Sequence, residues 1–442
     1  MKFKSIQFFS YLICLLPLAL ISGPLIPELI ILSSIIFFLI KVFKEKNFFY
    51  FDNFFFKVFL LFWISINIST IFSEYFFYSL KYSLSYLRYG LFVLAISYLI
   101  NNNGELIKTF YKSLLITICI LLFDSYFQYL FDFNLFGFER PNKYILSSFF
   151  GDELILGTYL MRLSPLLIAM YFCVSIEEKT NFNTYLFYII LIFPLIFLSG
   201  QRTPFYLSII FLVCLIFILK IDKKLIFSLI ISFLIIFSNI IVDNKKYEGI
   251  GTGYKNRMIS DIIYNYSNIP EHQKKKISEN FLKFIFVSPS HNNLWFTSLE
   301  LFKEKKLTGH GPNTFRKKCK DIDAKKVYDK SLIKNNSLVY CSTHPHNYFF
   351  QLLAETGITA VLIYIFIYLI IIKTLIVSYI HLNKNDPKHD LVINILLLLT
   401  IMINFFPLVP SGNFFNNHQN ILIFLPIGFL INFVQFGKKF KK

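Results

Sequence analysis

Apolar stretches long enough to cross a bilayer recur along this chain, and nothing else constrains its fold as tightly. A spanning helix needs about 17 to 25 predominantly apolar residues. Such runs lie near 6–23, 25–43, 54–72, 78–101, 109–131, 153–175, 184–200, 204–220, 224–242, 357–380, 391–410 and 419–437. The expected fold class is therefore an all-α integral membrane protein with about twelve transmembrane helices. Only 16% of the residues are charged, against about 25% in soluble domains, which excludes a string of ordinary globular domains. Lys2 and Lys4 precede the first run as they would in a signal peptide. A second span follows Gly23-Pro24 with no Ala-x-Ala-like cleavage site, so the first run reads as an uncleaved helix.

Short loops set the orientation, because Lys and Arg collect on the cytoplasmic side. Lys41, Lys44 and Lys46 follow the second run, and Lys108 and Lys112 follow the fourth. Lys220, Lys223 and Lys224 follow the eighth, Lys384 and Lys388 the tenth, and Lys438, Lys439, Lys441 and Lys442 end the chain. All fall on one face if the count is even and both termini are cytoplasmic. The opposite face then receives the segment 132–152, a tight turn at Gly200–Pro204, and one long loop. Three regions are expected: 1–242 with nine helices, a loop at 243–356, and 357–442 with three helices and a basic tail.

The long loop carries 19 Lys and Arg against 11 Asp and Glu, part of a net charge of +18 for the whole chain. A basic loop outside the cytoplasm cannot serve nucleic acid. Anionic lipids, phosphates and pyrophosphates are the partners its charge fits, with a plain solvated surface as the alternative. No tandem repeat is apparent, and nine spans before the loop against three after it lack the matched halves usual in carriers.

Five of the eight histidines lie in this loop or at its end: His272, His291, His310, His344 and His346. The stretch Cys341–Ala360, "CSTHPHNYFFQLLAETGITA", is the densest in polar chemistry. Pro345 suits the first turn of a helix, with Thr343 or His344 as its cap. His346 would then stand at a helix N-terminus, where the dipole disfavours imidazolium and keeps a neutral ring able to accept a proton. A capping or metal-binding histidine is the alternative. A metal site fits poorly, since His344 and His346 are two residues apart with no cysteine or carboxylate cluster beside them. Upstream, His291 to Lys306 reads as an amphipathic helix with Leu294, Trp295, Leu299 and Phe302 on one face. "GHGPNTF", from Gly309, then makes a turn that is either plain or able to cradle phosphate with its N–H groups.

"SGQRTPF" places Arg202 in an outward turn otherwise poor in basic residues. Arg162 falls inside the sixth run and needs an anionic partner, either Asp124 or a ligand phosphate. Cys14, Cys119, Cys173 and Cys214 lie within apolar runs, whereas Cys319 and Cys341 flank the lysine-rich end of the loop. If that loop is periplasmic the compartment permits a disulfide between them; two free thiols are the alternative.

These residues resemble the O-antigen ligase and O-antigen polymerase family, bacterial membrane glycosyltransferases of the GT-C class. Its signature of His, then Asn, Ser or Gln, nine residues and Gly is similar to His346-Asn347 followed by Gly357 and Thr359, with Ala360 departing at the last position. "GHGPNTF" is similar to the family's Gly-x-Gly-Pro turn and "SGQRTPF" to its Ser-x-x-Arg-Thr turn, so the resemblance covers about 195–360. The family often carries a second arginine four residues before the tryptophan, where this chain has His291; Arg257 or Arg316 are the substitutes available. The resemblance implies a glycan donor on undecaprenyl pyrophosphate and an acceptor hydroxyl on lipid A–core or a growing glycan, without metal, nucleotide or other cofactor. His346 is then the general base and Arg202 the cation facing pyrophosphate, with His291, Arg257, Arg316, Gly309, Gly311, His344, Asn347 and Arg162 as substrate-binding candidates. It further implies a bacterial inner-membrane location. A polymerase with the same donor chemistry is the alternative reading, and a polysaccharide flippase is the reading from another class.

Overall fold

A computed structural model describes residues 2–142, 144–178, 184–219, 223–246, 289–322, 340–384 and 389–436. Arg257, His272, Lys220, Lys388 and the basic tail lie outside the described residues. The described residues are helical, with no strand and only isolated bridges such as Phe133 to Glu139. The helices are α1 (Lys2–Ala19), α2 (Leu25–Glu45), α3 (Phe54–Ile71), α4 (Phe76–Ser85), α5 (Leu87–Asn102), α6 (Glu105–Phe131) and α7 (Leu156–Glu178). Next come α8 (Thr184–Phe187), a π-helical turn (Tyr188–Ile192), α9 (Phe193–Leu198), α10 (Arg202–Leu219) and α11 (Lys223–Lys246). The remainder are α12 (Pro289–Glu304), α13 (Phe315–Lys318), α14 (Tyr348–Lys384), α15 (His389–Asn404) and α16 (Asn417–Phe436).

Each of the twelve expected runs is helical, but they are not equivalent. Among the described residues eight helical segments, with α4 and α5 counted together as Phe76–Asn102, are long and apolar enough to cross a membrane, and Thr184–Leu198 and Asp390–Asn404 are shorter apolar helices. Length is what separates them: at 1.5 Å per residue, 16 residues cover about 24 Å, short of the hydrocarbon thickness of about 30 Å. The chain is a multi-pass membrane protein, and its surface agrees. Leu25, Phe43, Ile71 and Phe77 are all well exposed, an outward apolar face that water would not tolerate. Of the most apolar stretch of α14 only 17% is buried, so most of that helix faces lipid.

Lipid tails are as apolar as leucine, so helices in a bilayer associate through close packing and a few polar contacts. The abundant aromatics supply the packing. Tyr86, between α4 and α5, stacks on Phe414, in the α15–α16 loop, with centroids 5.7 Å apart, and Phe414 meets Tyr348 of α14 edge-on at 5.5 Å. Polar contacts include Arg88 of α5 with Glu28 of α2 at 3.2 Å. Asn53 caps α3 by accepting from the Phe56 N–H at 2.8 Å while donating to the Tyr50 carbonyl at 2.6 Å.

Outside the membrane helices stands a second small core of Leu294, Trp295, Leu301, Phe315, Cys319, Ile322, Phe350 and Ala354. Trp295 of α12 stacks on Phe350 of α14 at 4.9 Å. Cys319 and Cys341 are joined here, their Cα atoms 5.2 Å apart. This core fixes α12, α13 and the start of α14 as one body above the bundle.

Candidate active site

Helix α14 begins later than its sequence indicates. Tyr348 is its first residue and Asn347, not Thr343 or His344, is the cap: Asn347 Oδ1 accepts from the Phe350 N–H at 3.1 Å. Pro345 consequently lies before the helix instead of in its first turn. The reason is a second use of Asn347, whose Nδ2 donates to the carbonyls of Pro407 at 2.9 Å and Val409 at 3.1 Å. One amide therefore starts α14 and binds the α15–α16 loop. His346 sits just ahead, with φ of 53° and its carbonyl accepting from the Ser411 N–H at 2.8 Å. This left-handed backbone turns the imidazole toward the neighbouring histidines. Ring centroids lie 4.0 Å apart for His344 and His346, and 5.2 Å apart for His291 and His346.

The turn at Gly309 and the helix at Gly357, 48 positions apart in sequence, interlock at the lower end of this segment. Gly357 has φ 67° and ψ −168°, which interrupts α14. The turn after α12 fills the interruption: Ile358 N–H donates to the Lys306 carbonyl at 2.9 Å, and His310 and Gly311 N–H donate to the Ala354 and Glu355 carbonyls at 3.1 and 2.7 Å. A Cβ on Gly309 would lie 2.5 Å from the Thr356 nitrogen, and one on Gly357 would lie 2.8 Å from the Gly309 nitrogen. Both positions therefore require glycine. Glu355, 1% exposed, closes the lock by accepting from the N–H groups of Asn313 at 2.8 Å and Phe315 at 2.9 Å and from Gln351 Nε2 at 3.1 Å. The turn's N–H groups are thus engaged with α14. Gly309 and Gly311 shape the lock, and the expectation that they cradle phosphate gives way to that role.

Glu355 also positions Arg316. The carboxylate holds Asn313, and Asn313 Oδ1 accepts from Arg316 Nη2 at 3.5 Å. Removing the carboxylate leaves buried donors without an acceptor, at about 1–3 kcal/mol each. Glu355→Ala is expected to lower the melting temperature of the purified protein sharply, and Glu355→Gln, which keeps one acceptor oxygen, to lower it less. An unchanged melting curve for Glu355→Ala would mean the turn is held by other contacts.

These elements surround a cavity of about 1500 Å³ lined by Arg162, Arg202, His291, Arg316, His344 and His346, together with His418 and Asn413 from the α15–α16 region. Arg202 opens α10 two residues after Gly200, where φ is 68°. The turn is tied to α7 by Gln201 Oε1, which accepts from the Thr158 N–H and hydroxyl, both at 3.0 Å. Arg316 projects from α13 with its Nε buried and unbonded. Arg162 is not paired with Asp124. That carboxylate accepts from Ser148 Oγ and from the Leu135 N–H at 2.9 Å, and so folds the 132–150 segment back onto α6.

Burial dominates the electrostatics of the histidines. It pushes His291 down to about 4, helped by His346 and Arg202, and His344 down to about 3, helped by His346 and Arg316. Burial also lowers His346 below the ordinary imidazole value. At neutral pH all three rings are uncharged and able to accept a proton, beside two guanidinium groups that stay charged. The cavity thus offers bases and fixed cations together.

Of the residues singled out in sequence, Arg162, Arg202, His291, Arg316, His344 and His346 converge on this cavity. Asn347 serves the backbone at its edge, Gly309 and Gly311 lie behind it, and Arg257 is outside the described residues. Glu355, Gln201 and His418 escaped sequence reasoning. Glu355 had a signal, a carboxylate inside the apolar run "QLLAETG" four residues after Gln351, the spacing of neighbours on one helix face.

Residues 187–365 match the family model described as O-antigen ligase. The match contains both arginine-bearing turns, the three clustered histidines and Gly357, so the resemblance seen in the motifs holds over this stretch. No curated protein matches the chain.

Proposed function

With an O-antigen ligase match over the stretch that carries Arg202, Arg316 and the three clustered histidines as premise, we propose that the protein moves a glycan from undecaprenyl pyrophosphate to a sugar hydroxyl, with lipid A–core as acceptor. The convergence of three neutral histidines with Arg202 and Arg316 in one cavity at the ends of the membrane helices carries this reading. In the proposed reaction His346 takes the proton of the acceptor hydroxyl as its oxygen attacks the anomeric carbon. The bond from that carbon to the pyrophosphate oxygen breaks, and Arg202 and Arg316 hold the charge that develops there. No nucleotide takes part, because the donor is already activated as a pyrophosphate ester. The active face is periplasmic in this reading, both termini are cytoplasmic, and the membrane is the bacterial inner membrane.

Donor binding tunes the base. A bound pyrophosphate places negative charge beside a ring whose protonation burial disfavours, and an adjacent anion raises an imidazole pKa. The acid limb of kcat/KM, which reports the free protein, is therefore expected below pH 6.5, whereas the limb of kcat is expected at higher pH. A kcat/KM limb at or above 6.5 would contradict a buried base.

Deletion of the gene tests the function itself. A ligase leaves lipid-linked polymer accumulating with unmodified lipid A–core. Accumulation of single unpolymerised repeats identifies a polymerase instead, and normal surface glycan rejects both readings.

A further inference from the structure

Arg162 is 5% exposed within a membrane-spanning helix, yet its hydrogen-bond partners are neutral. Its Nη2 donates to the Tyr348 hydroxyl at 3.0 Å and its Nη1 to the Asn404 carbonyl at 3.3 Å, while Nε is buried and unbonded. Tyr348 in turn donates to Gln419 at 3.0 Å, so that chain is neutral too. Among the described residues no carboxylate pairs with Arg162. An ionised group inside a membrane protein without a counter-charge is costly, and its usual context is a substrate or ion path. Arg162 lines the same cavity as Arg202 and Arg316.

Its depth differs from theirs. Thr158 is hydrogen-bonded to Gln201, at the level of Arg202. Arg162 lies four residues further along α7, about 6 Å toward the membrane interior. The cavity therefore has an outer cationic end at Arg202 and Arg316 and an inner one at Arg162.

We infer that Arg162 is an oxyanion site for the lipid-proximal phosphate of a polyprenyl pyrophosphate, while Arg202 and Arg316 take the sugar-linked phosphate. This rests on the donor proposed above. A polyprenyl chain leaves its pyrophosphate toward the bilayer, so the phosphate bonded to it lies on the membrane side. A guanidinium with a free Nε–H offers that phosphate a charge-assisted hydrogen bond without giving up both of its present partners.

The two cationic ends make separable predictions for binding to the full-length protein in nanodiscs. The probes are undecaprenyl phosphate, which has only the lipid-proximal phosphate, and undecaprenyl pyrophosphate, which has both and no sugar to transfer. Arg162→Gln is expected to weaken both lipids by on the order of tenfold or more. Arg202→Gln is expected to weaken the pyrophosphate lipid alone. If Arg162→Gln leaves both affinities within about twofold while Arg202→Gln acts as expected, the donor reading stands and the Arg162 site is rejected. Arg162 is then a structural donor to the end of α15. If only binding of a phosphorylated lipid A–core is lost, the site belongs to the acceptor and the inference is again rejected. Failure of the unmodified protein to bind either lipid rejects the donor reading itself. Should Arg162→Gln fold poorly, Arg162→Lys decides: it keeps the charge but lacks the planar fork. Severalfold weaker binding of both lipids supports the site, and unchanged binding rejects it.

Discussion

Replacing His346 by alanine is expected to reduce glycan transfer on the order of 10²–10⁴-fold, the usual contribution of general-base catalysis. Yield, membrane insertion and thermal stability should change little by comparison. The backbone of His346, through its carbonyl, holds Ser411, and the ring faces the cavity with His344 and His291. The one structural cost of alanine comes from φ of 53°, a conformation that asparagine accepts more readily. His346→Asn therefore serves as the companion variant: equal inactivity in both, with an unchanged melting curve, isolates the loss of the base from any loss of the turn. Purified variants that transfer glycan at near-normal rates would move the base to His291 or His344, which share its surroundings.

Arg202→Ala is expected to lose activity on the order of 10²–10³-fold, as when one fixed donor to a developing anion is removed. Arg202→Lys should remain strongly impaired. A guanidinium meets two phosphate oxygens in one plane, whereas an ammonium is a point charge on a flexible stem. The setting of Arg202 is rigid enough for that difference to register, since Gln201, immediately before it, is tied to Thr158 of α7 and Gly200 turns the chain just ahead of both. Steady-state kinetics with purified donor separates the outcomes. Full activity in Arg202→Lys would leave charge as the whole contribution and remove the geometric one.

The helices were readable in the sequence because hydrocarbon imposes a length and a composition at once, and each apolar run from 6–23 to 419–437 is helical. The ends of the helices were not, because they depend on local partners. Helix α14 starts two residues after His346 because its cap Asn347 also binds the α15–α16 loop, a contact between parts of the chain 60 residues apart. His346, Arg202 and His291 were readable as candidates because each carries unusual chemistry for its position. Arg162 was readable as a charge that needs a partner, but its separation from Asp124 was not, since Ser148 and Leu135 claim that carboxylate only once the 132–150 segment has folded. The reverse error occurred at Gly309 and Gly311. A Gly-x-Gly-Pro turn looks the same in sequence whether its N–H groups face a phosphate or another helix, and only Glu355 and the interruption at Gly357 decide between them.

That interruption has a mechanical consequence. Membranes differ in thickness, and a long helix answers a mismatch by tilting or bending. In α14 the rod that meets the lipid runs from Ile358 onward, and the piece that presents Asn347 and Tyr348 ends at Thr356. Between them stands a single non-helical glycine, braced from the side by the Lys306 carbonyl. Bending strain concentrates at such a joint instead of travelling along an unbroken ladder of hydrogen bonds. Because the same turn after α12 holds the upper piece through Ala354 and Glu355 and the first residue of the lower rod through Ile358, a tilt of that rod meets a clamp below the histidines before it reaches them.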